Sequence, residues 1–249
     1  MLKPCIGIIG GVGPYAGLDF MRNIFANTRA VKDQDHLNCM LISCPSIIPD
    51  RTDFLLENRE KENPAFGMFE CARRLYAAGV RYTAVACNTA HADKIFTPFR
   101  EMAQKHLPEM NLVNMLKTCA DYANKSLNVA RLGLIATKGT HQSRVYREYF
   151  SDTITLIEPE PADQEQVHQA IYSKDFGIKA YSQPVAFQAK DTISTAIRRL
   201  IDRGAEAVIL GCTELPLAVY AQDFPVPILD PALLTARRLI ALIAPEKLA

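Results

Sequence analysis

The 249-residue sequence has almost no excess charge of either sign: Lys plus Arg is 28, Asp plus Glu is 27, and the formal net charge is +1. A chain without a basic excess lacks the field that a phosphate backbone demands, so nucleic acid is not expected as its partner. No run of about 18 apolar residues occurs, so no membrane-spanning helix is expected. The start, MLKPCIGIIGGVGP, holds only a short apolar run broken by Gly and Pro, and reads as a buried first strand rather than a leader. Gly (12) and Pro (15) are too few for a low-complexity chain. The absence of any C-x-x-C pair removes the main support for a zinc ribbon or a thioredoxin-like site. The absence of G-x-x-x-x-G-K-[ST] removes a P-loop. Seven Cys, at 5, 39, 44, 71, 87, 119 and 212, are odd in number and widely spaced. That is a poor disulfide framework in a chain long enough to need no staples, so free thiols in a reducing cytoplasm are expected.

What is present is a regular alternation. Short apolar runs at 5–10, 37–43, 82–86, 111–114, 131–136, 153–157, 206–211 and 226–229 read as strands, several apolar throughout, as strands buried on both faces are. Amphipathic stretches at 15–29, 59–78, 91–105, 115–126, 142–150, 162–173, 185–203 and 231–244 read as helices. Alternating strand and helix predicts an α/β protein with parallel sheets and crossover helices.

An internal repeat divides the chain in two. GVRYTAVACNT and GAEAVILGCTE both place a Gly eight residues before a Cys, and Gly204 and Cys212 each follow Gly79 and Cys87 by 125 residues. IGIIGGVGP around Gly7 recurs as LGLIATKGT around Gly133, 126 residues later. We therefore expect two similar open parallel-sheet α/β domains: 1–115 plus 223–249, and 116–222. Ligands of such sheets bind beyond the carboxyl ends of the strands. Cys87 and Cys212 occupy those ends, and if the halves face each other the two thiols converge on one cleft.

The chemistry of such a pair is specific. Inverting a carbon acid needs a base on one face and an acid on the other, and a thiolate facing a thiol supplies both and exchanges roles with direction. A thiol at a strand-to-helix turn also lies near helix-dipole ends, which are expected to lower its pKa toward neutrality. Asn88, Thr89 and Thr213 stand beside the two Cys, where their side chains can cap a helix or bind a carboxylate. His91 and Glu214 follow closely and are candidates to assist Cys87 and Cys212.

At these residues the sequence resembles the aspartate/glutamate racemase family, whose members act without pyridoxal phosphate. The resemblance runs through IGIIGGVGP (6–14), CPSIIPDRT (44–52), ACNTAH (86–91), LGLIATKGT (132–140), YSKDFGIKA (172–180) and GCTELPL (211–217). It implies two α/β domains with the site between them, often in a homodimer, and no cofactor or metal. It implies that Cys87 and Cys212 are the acid/base pair and that Asn88, Thr89 and Thr213 hold the α-carboxylate. Thr137 matches a binding-loop position. Arg51 in PDRT matches a carboxylate-binding Arg, and Lys179 in GIKA a substrate-facing ammonium, with Lys174 a nearby competitor. Arg51 and Lys179 together favour an acidic amino acid, aspartate before glutamate or a broader set.

Other readings remain at this point. Gly11, Gly13 and Ala16 fit the dinucleotide pattern G-x-G-x-x-G/A of an NAD(P)-binding oxidoreductase, but the second strand ends in Ser43, Cys44 and Pro45 rather than an acid. Gly11 is instead expected to line a small-molecule cleft. A Cys–His hydrolase built on Cys87 and His91 leaves Cys212 unexplained. A bilobed small-molecule-binding protein needs no thiols. Among relatives of the family, decarboxylases lack one Cys, whereas a maleate-type isomerase is compatible with both.

Overall fold

The computed structural model describes residues 4–57, 62–150 and 154–249; residues 59–61 of the second expected helix and 153 of the sixth expected strand lie outside these. Along the chain come β1 (Cys5–Gly10), α1 (Pro14–Ala26), β2 (Asn38–Ser43), α2 (Pro64–Ala77), β3 (Tyr82–Val85), α3 (Asp93–His106), β4 (Asn111–Leu112) and α4 (Met115–Ser126). The second half continues with β5 (Arg131–Ala136), α5 (Lys138–Gln142), β6 (Thr155–Ile157), α6 (Pro161–Tyr172), α7 (Phe187–Asp202), β7 (Ala207–Gly211), β8 (Ile228–Leu229) and α8 (Pro231–Ile243). The strands form two parallel sheets of identical order, β2-β1-β3-β4 and β6-β5-β7-β8. All eight expected strands are present. β1, β3, β5 and β7 are covered on both faces by helices, which is why their sequences are apolar without alternation.

The repeat is visible in atomic detail. Helices α2 and α7 end on the same motif, with Gly79 at φ 89° and Gly204 at φ 91°. In each, the glycine and the residue after it close the last turn: Gly79 N–H to Tyr76 O and Val80 N–H to Leu75 O, then Gly204 N–H to Ile201 O and Ala205 N–H to Leu200 O. This is a Schellman close, which needs the left-handed backbone that glycine adopts freely. Gly7 in β1 lies against Leu75, Val80 and Thr83, and Gly133 in β5 lies against Leu200, Ala205 and Val208. Each member of the second set follows its counterpart by 125 residues. A Cβ at Gly7 would lie 2.7 Å from Val80 and 2.9 Å from Thr83, and one at Gly133 would press against Leu200 and Val208 at 3.1 Å.

The last strand and helix of each half part company. β8 pairs beside β7 in the second sheet (Val208 with Ile228, Ile209 with Leu229). Yet α8 buries Ala232, Ala236, Leu239 and Ile240 against Ile6 and Ile8 of β1 in the first. Conversely, β4 pairs with β3, while α4 buries Leu116, Cys119 and Ala123 against Leu132 and Leu134 of β5. The segment 223–249, grouped above with the first half, is thus divided between the two sheets, and the halves exchange their final helices. One expected helix also moves. In place of 142–150, Thr137 caps the short α5 through Thr140 N–H, and Arg144 at φ 55° ends it. Among the described residues, no helix is long and apolar enough to cross a membrane.

Because α8 covers a sheet to which its own strand does not belong, its core side chains tie the halves together. Leu239→Ala should cost about 2–5 kcal/mol in urea unfolding followed by circular dichroism. A loss below about 1 kcal/mol would show that α8 does not hold the first sheet.

Candidate active site

The carboxyl ends of β3 and β7 face each other, and a cavity of about 240 Å³ between them is lined by Val12, Arg51, Cys87, Asn88, Thr89, Thr137, Tyr172, Lys179, Cys212, Thr213 and Glu214. Arg51, Lys179 and Glu214 also line a more open vestibule of about 790 Å³, together with Gly11, Gly13, Pro14, Tyr15, Pro45, Ile48, Asp50 and Ser182. The two expected acid/base residues therefore share one cavity with the expected carboxylate-binding residues. Lys174 is exposed and takes no part, whereas Lys179 reaches in.

Both Cys precede short 3₁₀ turns, Thr89–His91 and Leu215–Leu217, rather than the strand-to-helix turns expected there. α3 begins only at Asp93, so Cys87 does not sit at its N-terminus. The expected lowering of both thiol pKa values by helix dipoles loses its basis. For Cys212 the direction is opposite: burial pushes the thiol well up, and the neighbouring Glu214 carboxylate adds to it. Cys212 Sγ donates to Glu214 Oε2 at 3.0 Å.

Glu214 is fixed from its other side by Lys179, whose Nζ lies 3.0 Å from Oε1. Burial disfavours the Glu214 charge, yet Lys179 and the Cys212 S–H hold its pKa below the usual carboxylate range. Burial likewise works against the Lys179 ammonium, and Glu214, Tyr172 and Cys212 together more than offset it, raising its pKa. Lys179 also lies 5.0 Å from the centre of the Tyr172 ring.

Arg51 is buried, with Nη2 bonded to Val12 O at 2.8 Å and Nη1 to Pro49 O at 3.1 Å, and it lines the cavity together with Cys87. Arg51 Nε has no partner. Asp50 and Tyr172, neither anticipated from sequence, complete this corner. Tyr172 Oη donates to Asp50 Oδ2 and to Thr52 Oγ1, both at 3.2 Å. Burial of Asp50 is outweighed by Arg51 and by the Asp53 N–H, so its pKa is lowered. Its place beside Arg51 in PDRT was the one available signal.

Three hydroxyls from the two halves meet beside Asn88: Thr89 Oγ1 lies 3.3 Å from Thr137 Oγ1 and 2.9 Å from Thr140 Oγ1. Thr213 Oγ1 donates across to Ala86 O at 3.1 Å. Asn88 Oδ1 accepts from Tyr146 Oη at 2.5 Å, while Asn88 Nδ2 is buried without a partner.

The glycines of the first loop are explained by protein contacts. A Cβ on Gly11 would lie 2.5 Å from Cys44 N, and one on Gly13 would collide with the Glu214 carboxylate. His91 does not reach a thiol. Its Nδ1 bonds the Cys87 carbonyl at 2.8 Å, its Nε2 accepts from Met115 N–H at 3.3 Å, and it stacks on Phe96. It fixes the Cys87 backbone. Among the described residues, no three His, Cys, Asp or Glu side chains cluster as a metal site.

Comparison with known proteins places this geometry in a class. The profile of the Asp/Glu/Hydantoin racemase family matches residues 9–239. The chain belongs to that family, and its two-sheet α/β architecture is the family's fold. A Picrophilus torridus aspartate racemase superposes with a TM-score of 0.79 at 27% identity, covering 97% of this chain and 94% of that one. An aspartate racemase homologue from Pyrococcus horikoshii gives a TM-score of 0.71 at 25% identity over 98% and 100% of the two chains. A broad-specificity amino-acid racemase of Bacillus subtilis is 24% identical over 240 residues, 95% of this chain and 96% of its own.

Burial holds the His91 imidazole down at about 4, from its ordinary 6.5. The folded protein refuses a proton that the unfolded chain accepts, so this contribution is intact above pH 6.5 and is lost as pH falls toward 4. Its size is about 3 kcal/mol. In His91→Gln the stability–pH profile should flatten over that window. An unchanged slope would remove His91 as its source.

Proposed function

We propose that this racemase is cofactor-independent and inverts the α-carbon of an acidic amino acid, aspartate first, using Cys87 and Cys212 as its base and acid. The observation that carries the reading is two thiols from equivalent strand ends on one cavity in unlike surroundings: Cys87 shares the cavity wall with the Arg51 guanidinium, and Cys212 donates a hydrogen bond to Glu214. In one direction the Cys87 thiolate takes the α-proton, and the carbanion receives the Cys212 proton on its other face. The C–H bond broken is replaced by one of opposite configuration, and the reverse turnover restores the enzyme. Asn88 Nδ2, with the Thr89 and Thr213 hydroxyls, supplies donors for the α-carboxylate, whose charge grows as the proton leaves. Thr137 supports this ring through Thr89 and Thr140.

A distal carboxylate fits the Arg51–Lys179 corner. Lys179 spends one donor on Glu214 and keeps N–H groups to offer, and Arg51 Nε is unspent. The vestibule beyond that corner leaves room for a side chain longer than that of aspartate. The reading includes a reducing compartment such as the cytoplasm, since oxidation of either Cys removes the couple, and the homodimer that the resemblance implies.

The test is incubation of L-aspartate in deuterated water without pyridoxal phosphate. D-aspartate deuterated at Cα is expected. Cys87→Ser and Cys212→Ser should each lower inversion by about 10²-fold or more, and one variant can retain proton exchange on a single enantiomer. Neither inversion nor exchange with any acidic or neutral amino acid would overturn the reading.

A further inference from the structure

We propose that Tyr146 is a positioning residue that sets which end of the Asn88 amide faces the substrate cavity. The inference rests on the carboxylate-binding role given to Asn88 above. An amide has two ends of nearly equal size and opposite hydrogen-bonding sense. Turned one way, Asn88 offers two N–H donors to a carboxylate; turned the other way, it offers an oxygen that repels one.

The contacts choose the first arrangement. Asn88 is 1% exposed, its Oδ1 takes the Tyr146 hydroxyl at 2.5 Å, and its Nδ2 is buried without a partner on the wall of the cavity. The Asn88 oxygen is the acceptor that the Tyr146 hydroxyl finds. Burial keeps this phenol protonated, with Cys119, Asp230 and Cys212 adding to the effect, so it remains a donor. Tyr146 is itself 1% exposed and packed with Leu132, Leu134 and Ala136 of β5, so its ring cannot swing away. Without the hydroxyl, Asn88 Oδ1 loses the donor that the structure gives it, and no contact shown among the described residues keeps the amide oxygen from the groups that line the cavity. The oxygen would turn toward them and oppose the substrate. Tyr146 comes from the second half and Asn88 from the first, so this part of the carboxylate site is complete only when the halves meet.

Tyr146→Phe keeps the ring and removes the hydroxyl. KM and kcat for L-aspartate and the Kd of succinate by calorimetry would be compared in wild type, Tyr146→Phe, Asn88→Ala and the double variant. Loss of one orienting hydrogen bond is expected to weaken KM and Kd by about tenfold, with kcat changed less than about threefold. In the Asn88→Ala background the same substitution should change neither constant by more than about twofold, because its effect runs through Asn88. An unchanged KM and Kd in Tyr146→Phe, or an equal loss in both backgrounds, would overturn the proposal. So would a fall in kcat and unfolding midpoint alone, which is what a packing role produces. Succinate binding without racemisation by the wild type would sink the functional reading and leave this one testable by Kd. If the wild type binds neither succinate nor aspartate, both fall.

Discussion

The site depends on one constraint: the carboxyl ends of two sheets are held face to face by hydrogen bonds that cross from one half to the other. Thr213 reaches the Ala86 carbonyl, Tyr146 reaches Asn88, Thr140 reaches Thr89, and Tyr172 reaches Asp50 and Thr52. Asn88, Thr89, Thr137, Tyr172 and Thr213, five of the side chains that face the cavity, are thus oriented by residues of the opposite half. Each such bond is worth only about 0.5–1.5 kcal/mol net, since water can replace either partner. The exchange of α4 and α8 supplies the stronger tie, through buried apolar surface remote from the cavity. This division of labour suits a site that must admit a ligand into a space of about 240 Å³. The cores fix the halves, while the bonds around the cavity are individually weak enough to be exchanged for bonds to substrate.

The repeat makes a symmetric scaffold, and the neighbours of the two thiols break the symmetry. Cys87 and Cys212 occupy equivalent strand ends, yet one faces a guanidinium and the other a carboxylate. Unlike surroundings can give one residue type two roles. Racemisation runs both ways, so both groups must be able to exchange roles. On the proposed two-thiol reading, identical chemistry in both halves allows that exchange.

Much of this was legible in the sequence because it follows from burial and periodicity. Strands covered on both faces must be apolar throughout, and all eight were recoverable from such runs. The 125-residue offset was readable because each copy needs the same glycines, at the helix close and under the crossing helix. The place of the last strand was not readable. β8 has two residues, and nothing in Ile228–Leu229 says which sheet it joins. Tyr146 was invisible for another reason: within VYREYF it reads as one more apolar position, and only its partner reveals the hydroxyl's role. The expected helix at 142–150 failed because a capping Thr137 starts the helix earlier than the apolar pattern suggests.

The charge balance gains the most from the structure. Arg51 and Lys179 read as two free cations in the sequence, enough to draw an anion by their field. In the folded protein Asp50 stands beside Arg51 and Glu214 is bonded to Lys179, so the site is nearly as neutral as the whole chain at +1. Selection of an anion then cannot rest on net potential. It rests on donors left unspent: Asn88 Nδ2 and Arg51 Nε have no acceptor, and Lys179 has further N–H groups to offer. A neutral site with directed, unsatisfied donors recognises a carboxylate by its geometry. On the proposed reading it also avoids a strong positive field that would hold a dicarboxylate product as tightly as the substrate. For a reaction whose substrate and product carry the same charges, that is the arrangement that lets both leave.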